Sequence, residues 1–249
     1  MKTPRHSMDS VNTRSESVVA PGAAMNNLNK RACAGLLNLL VCMSLLIFLP
    51  AWSLRYWQAW VFLAAFFLPS LAITVYLMEK DPKLLERRVK AGAAAETEMS
   101  QKIIQAFAAI FFLATIVLPA LDHRFGWRPI PTYAVVAGDM LVLLGFLIVF
   151  LVFKENSYTS AIIEVADEQT VISKGPYAIV RHPMYSGALI LLLGVPLALG
   201  SWWGLLTIVP MTGVIIWRLL GEEKFLSNKL AGYADYRDRV RYRLAPLVW

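Results

Sequence analysis

From Met184 to Trp217 the chain runs for 34 residues without one charged side chain. A single helix of that length would measure about 51 Å at 1.5 Å per residue. The hydrocarbon core of a bilayer is only about 30 Å thick. Near the middle of the run, Gly200 and Ser201 are followed by Trp202 and Trp203, a turn signal joined to an aromatic pair suited to a membrane interface. The pattern predicts two antiparallel membrane helices in a tight hairpin. Residues 32–54, 56–78 and 103–121 are three further uncharged stretches of spanning length, and 129–153 is a fourth, interrupted only by Asp139. The expected fold is an all-α polytopic membrane bundle of about six spans. Composition agrees: 57% of residues are hydrophobic and 16% charged, against roughly 45–50% and 25% in soluble domains, and mean hydropathy is +0.54.

Loop charges give the sidedness. Of 24 Lys and Arg, 21 lie before residue 32, in 79–102, in 154–183 or after 217, and only Arg55, Arg124 and Arg128 lie in the intervening loops. Cytoplasmic segments carry such an excess, so six spans with both termini cytoplasmic are expected. The net charge of +7 then faces anionic lipid headgroups, and no nucleic-acid-binding signature competes with that reading. Cys33 and Cys42 share one apolar stretch, and no Cys or His spacing suits a disulfide framework or a metal site. No apolar leader precedes the first span and Lys2 follows Met1, so neither a secretion signal nor myristoylation is expected. The chain divides into a polar tail at 1–31, expected to be disordered, accessory helices at 32–128, and a core at 129–249.

Asp139, near the outer end of the fourth span, reads as an interfacial or helix-capping residue. The midplane is otherwise uncharged, which counts against ion-coupled transport. Polar chemistry gathers instead in two clusters on either side of the hairpin, GPYAIVRHPMYSG at 175–187 and RLLGEEKFL at 218–226. Packed antiparallel helices lie 8–10 Å apart, so the hairpin should return Glu222 and Glu223 beside Arg181 and His182. His182-Pro183 reads as a helix entrance, because proline is favoured at the first helical position. Such an entrance can hold an anionic group. Gly187 would let a flat ligand lie against that helix, and Tyr177 and Tyr185 offer ring faces to an aromatic group or a cation. Further on, Phe225, Leu226, Leu230, Tyr233, Tyr236, Val240 and Leu244 recur at helical spacing among Lys and Arg. They predict an interfacial amphipathic helix over the pocket, bent or interrupted at Gly232.

The run 156–249, with its RHPxYxG segment, Glu-Glu pair and Tyr- and Arg-rich tail, resembles the catalytic half of the isoprenylcysteine carboxyl methyltransferase family, which is allied to the membrane phospholipid N-methyltransferases. Where the phospholipid enzymes often carry Gly-x-Gly, this chain has Gly187-Ala188-Leu189, a departure that weakens the phospholipid assignment. The resemblance implies S-adenosylmethionine as methyl donor, held at the cytoplasmic interface by Tyr177, His182, Pro183, Tyr185, Gly187, Glu222 and Glu223. It also implies a lipophilic or lipidated acceptor arriving from the bilayer and facing Arg181 and Arg239, with Arg243 in the same tail. Two other classes remain open from sequence: a membrane reductase acting on sterol or polyprenoid double bonds with a reduced nicotinamide cofactor, and a non-enzymatic scaffold or transport subunit.

Overall fold

The computed structural model describes residues 21–89, 98–159 and 169–249. Among them are eight α-helices and no strand: α1 (Pro21–Ala51), α2 (Trp57–Lys80), α3 (Pro82–Val89), α4 (Met99–Phe125), α5 (Thr132–Glu155), α6 (Pro183–Ala198), α7 (Ile208–Lys229) and α8 (Tyr233–Arg239). Among the described residues five segments are long and apolar enough to cross a membrane: Met25–Ala51 within α1, then α2, α4, α5 and the run Trp203–Lys229. The sixth expected span, α6, has only 16 residues, about 24 Å of helix. It falls short of a hydrocarbon core that the others can cross.

Helix α1 begins at Pro21 rather than at residue 32, so part of the expected polar tail is helical; the rest of that tail, 1–20, lies outside the described residues. Asp139 differs from expectation too. It is 5% exposed inside α5, whose N-cap is Pro131, so it is neither solvated at an interface nor a cap.

The closest helix packing joins α5 to α6, and glycines make it possible. Gly138 and Gly145 on α5 stand seven residues apart, as do Gly187 and Gly194 on α6. Run antiparallel, the two pairs meet: a Cβ on Gly194 would lie 2.5 Å from Gly138 O, and one on Gly145 would lie 2.7 Å from Gly187 O. Backbones approach this closely only where side chains are missing, the usual device of membrane helices that gain no hydrophobic drive from lipid. Gly187 therefore serves helix packing, its α-carbon facing Ile148 and Gly145 rather than a ligand.

Polar groups pin the turn between α6 and α7. Gly200 adopts the left-handed conformation (φ 77°) that glycine tolerates without strain. Ser201, fully buried, donates its hydroxyl to Asp122 Oδ2 of α4 at 2.5 Å and accepts the N–H of Gly204 at 3.1 Å. Tyr56, before α2, donates its hydroxyl to Leu199 O, and its ring stacks on His123 with centroids 3.8 Å apart. Trp202 and Trp203 remain partly exposed beside the turn, as interfacial aromatics do. An apolar core of Ile47, Phe62, Ile116, Val142 and Val195 ties α1, α2, α4, α5 and α6 together beneath it.

Candidate functional site

Opposite the turn, the hairpin brings its two polar flanks to one end of the bundle. The chain enters through a 3₁₀ turn, Gly175–Ala178, and then α6 starts with His182 at the N-cap and Pro183 at the first helical position. Pro183 has no N–H to leave unpaired at a helix start, which is why the entrance forms there. Returning along α7, Glu222 and Glu223 are neighbours about 100° apart around the axis, and they face different surroundings. Tyr185 donates its hydroxyl to Glu222 Oε2 at 2.7 Å. Glu223, 7% exposed, meets His182 Nε2 at 3.3 Å and Arg181 Nε at 3.2 Å, and accepts from Arg243 Nε at 2.9 Å.

The tail beyond α8 completes this arrangement, because residues 240–249 run back along the entrance instead of continuing a helix. The main-chain N–H groups of Arg181 and His182 donate to Tyr242 O and Arg243 O at 2.9 and 3.0 Å, and the Ser186 hydroxyl donates to Leu244 O at 2.6 Å. Arg243 also lies over the Trp249 ring, 4.8 Å from its centroid. The expected long interfacial helix is thus only α8, with Gly232 in the left-handed conformation (φ 79°) separating it from α7. Its apolar residues do what their spacing implied: Tyr233 and Tyr236 pack with Leu230, Val171 and Tyr177 into a small core over the site.

Between these pieces lies a cavity of about 890 Å³, counting the part open to solvent. Tyr177, Arg181, His182, Pro183, Tyr185 and Glu222 line it, so six of the residues singled out from the sequence converge. Three do not reach its wall. Gly187 is held against α5, Glu223 is turned toward His182, Arg181 and Arg243, and Arg239 is exposed at the end of α8 with its Nε 3.4 Å from Asp235 O. Sequence reasoning missed Asn156 after α5 and the segment Gln169–Ile172, while Arg218 of the second cluster and the two tyrosines expected over the pocket join the wall. Asn156 donates to the Tyr177 hydroxyl at 2.9 Å, and Tyr236 donates its hydroxyl to Tyr177 O at 2.8 Å. Burial pushes the phenols of Tyr177, Tyr233 and Tyr236 up from their ordinary range, so all three are neutral hydrogen-bonding groups near pH 7. Arg218 spans outward to α4, where its Nη1 donates to Gln101 Oε1 at 3.3 Å.

Aromatic faces, one cavity-facing carboxylate and two guanidinium groups can together bind a ligand carrying both charges. No curated protein matches the chain. Residues 133–232, from the start of α5 to the turn before α8, match the family model described as phospholipid methyltransferase, a group allied to the carboxyl methyltransferases, so this region is similar to a membrane methyltransferase domain.

Proposed function

We propose that the chain is an integral-membrane methyltransferase that takes its methyl group from S-adenosylmethionine and transfers it to a lipophilic acceptor at the cytoplasmic interface. One observation carries this reading: the hairpin seats Tyr185 against Glu222 and His182 against Glu223, at 2.7 and 3.3 Å, beside a cavity lined largely by the segment that matches the methyltransferase family. The donor set fits such a methyl donor, since tyrosine faces suit a sulfonium and Glu222 suits an ammonium.

Tyr177, His182, Pro183, Tyr185 and Glu222 would hold the methyl donor directly. Glu223 would act from behind, fixing His182 and Arg181 in place. When bound, S-adenosylmethionine supplies an electrophilic methyl group on a positively charged sulfur. The chain's own contribution is alignment and exclusion of water rather than a compulsory acid or base. Positioning of this kind is worth up to about 7–11 kcal/mol of a barrier. Arg181 and Arg218 give the cavity wall its cations, suited to orienting an acceptor's carboxylate or phosphate. Incubating membranes that contain the protein with methyl-labelled S-adenosylmethionine, and identifying the labelled lipid-phase product by mass, tests the proposal. Label that stays wholly in the cofactor pool in the presence of lipid extract and of prenylated peptide would refute it.

A further inference from the structure

Tyr233 is the feature of the cavity left unexplained. It lies just past the segment that matches the methyltransferase family, on the first residue of α8, yet it lines the cavity and is only 4% exposed. Its hydroxyl is buried and finds no hydrogen-bond partner among the described residues. A buried hydroxyl without a partner is costly in a folded protein, and few are tolerated without a purpose. Its neighbour Tyr236 spends its own hydroxyl on Tyr177 O, so the two tyrosines of α8 have different tasks. Neutral at physiological pH, the Tyr233 phenol is available to donate.

The surrounding charge defines what it would donate to. Arg181, also on the cavity wall, is close enough for its charge to act on Tyr233, and its buried Nε makes no well-aligned hydrogen bond although Glu223 Oε1 is 3.2 Å away. Glu223 is shared between Arg181 and Arg243, two guanidiniums against one carboxylate, while Glu222 stands on the cavity wall and its charge also acts on Tyr233. A neutral O–H donor on the same wall as a guanidinium whose Nε has no aligned partner is complementary to an anion with acceptor oxygens.

We propose that Tyr233, with Arg181 beside it, is a carboxylate-binding contact of the chamber. The inference rests on the methyltransferase reading for its sources of carboxylate: the amino-acid end of the methyl donor, or an acceptor that itself carries a carboxylate on an apolar chain.

The test compares the full-length, detergent-solubilised protein with Tyr233→Phe, which removes the hydroxyl and nothing else. Without ligand, Tyr233→Phe should melt at the same temperature as the parent or slightly above it, because an unpaired buried donor has been removed. Its affinity for S-adenosylhomocysteine should fall about tenfold, while methylthioadenosine, which keeps adenine and ribose but lacks the carboxylate, should bind both proteins alike. That pattern assigns the contact to the methyl donor. If S-adenosylhomocysteine binds both proteins equally but heat-stabilisation by dodecanoate, relative to its methyl ester, is lost in Tyr233→Phe, the carboxylate belongs to the acceptor. Equal behaviour of the two proteins toward both carboxylates overturns the inference, as does a lower melting temperature of ligand-free Tyr233→Phe with unchanged affinities. A parent protein that binds neither S-adenosylhomocysteine nor methylthioadenosine overturns the methyl-donor reading instead, and the dodecanoate comparison then decides the carboxylate contact alone.

Discussion

The two ends of the α6–α7 hairpin are built from similar materials and used differently. At the turn, buried Asp122, Ser201 and Tyr56 satisfy one another and the backbone: Ser201 holds Asp122, and the Tyr56 hydroxyl closes on Leu199 O. At the open end, the Tyr233 hydroxyl and the Arg181 Nε are buried without hydrogen bonds around a cavity. A saturated polar cluster locks a structure, whereas an unsaturated one next to open space is poised for a ligand. The comparison separates stability from binding along a single pair of helices.

The largest effect should come from Glu223→Ala, which belongs to both categories. It leaves Arg181 and Arg243 facing each other without their shared carboxylate, and breaking a buried pair in this way costs about 3–5 kcal/mol. A fall in the thermal midpoint together with loss of S-adenosylhomocysteine binding is expected; intact stability would show that the two guanidiniums do not depend on it. Gly187→Ala comes next, at about 1–3 kcal/mol, because the new methyl would sit 3.0–3.1 Å from Ile148 and Gly145 and overpack α5 against α6. Here the ligand-free midpoint is the decisive measurement. Lost binding with unchanged stability would return Gly187 to the cavity.

Ser201→Ala tests the saturated end. It strips Asp122 of its donor and should cost about 1–2 kcal/mol while leaving S-adenosylhomocysteine affinity within about twofold. A large loss of affinity would mean that the two ends are coupled and the contrast is wrong. The smallest change is expected from Arg239→Ala, an exposed position where stability should move by less than about 0.5 kcal/mol and donor binding not at all. Turnover then sharpens the picture, since a selective drop would place an acceptor outside the cavity, along α8.

Legibility in the sequence tracked the range of each interaction. The hairpin was readable because charge-free length, a Gly-Ser break and flanking tryptophans are local signals acting through bilayer thickness. Six cavity residues were readable because they stand in two short motifs that the hairpin must superpose. Arg243 and Arg239 show where this reading stops. Both lie in the same basic tail, and only the reversal of residues 240–249 onto the Arg181–His182 backbone sets Arg243 on Glu223 and leaves Arg239 at the surface. The assignment of Gly187 to a ligand failed for a related reason. Its partner Gly145 is distant in sequence, although the seven-residue spacing of both glycine pairs was a visible sign of helix packing.

What the sequence determined by itself was the class of fold and which polar residues gather at the open end of the hairpin, since hydrophobic length acts one segment at a time. Which face each side chain presents was decided only by tertiary structure. Glu222 and Glu223 are adjacent in the chain, but one meets a cavity and the other His182 and two guanidiniums, because a helix turns neighbours apart and α6, α8 and the tail supply the surroundings of each.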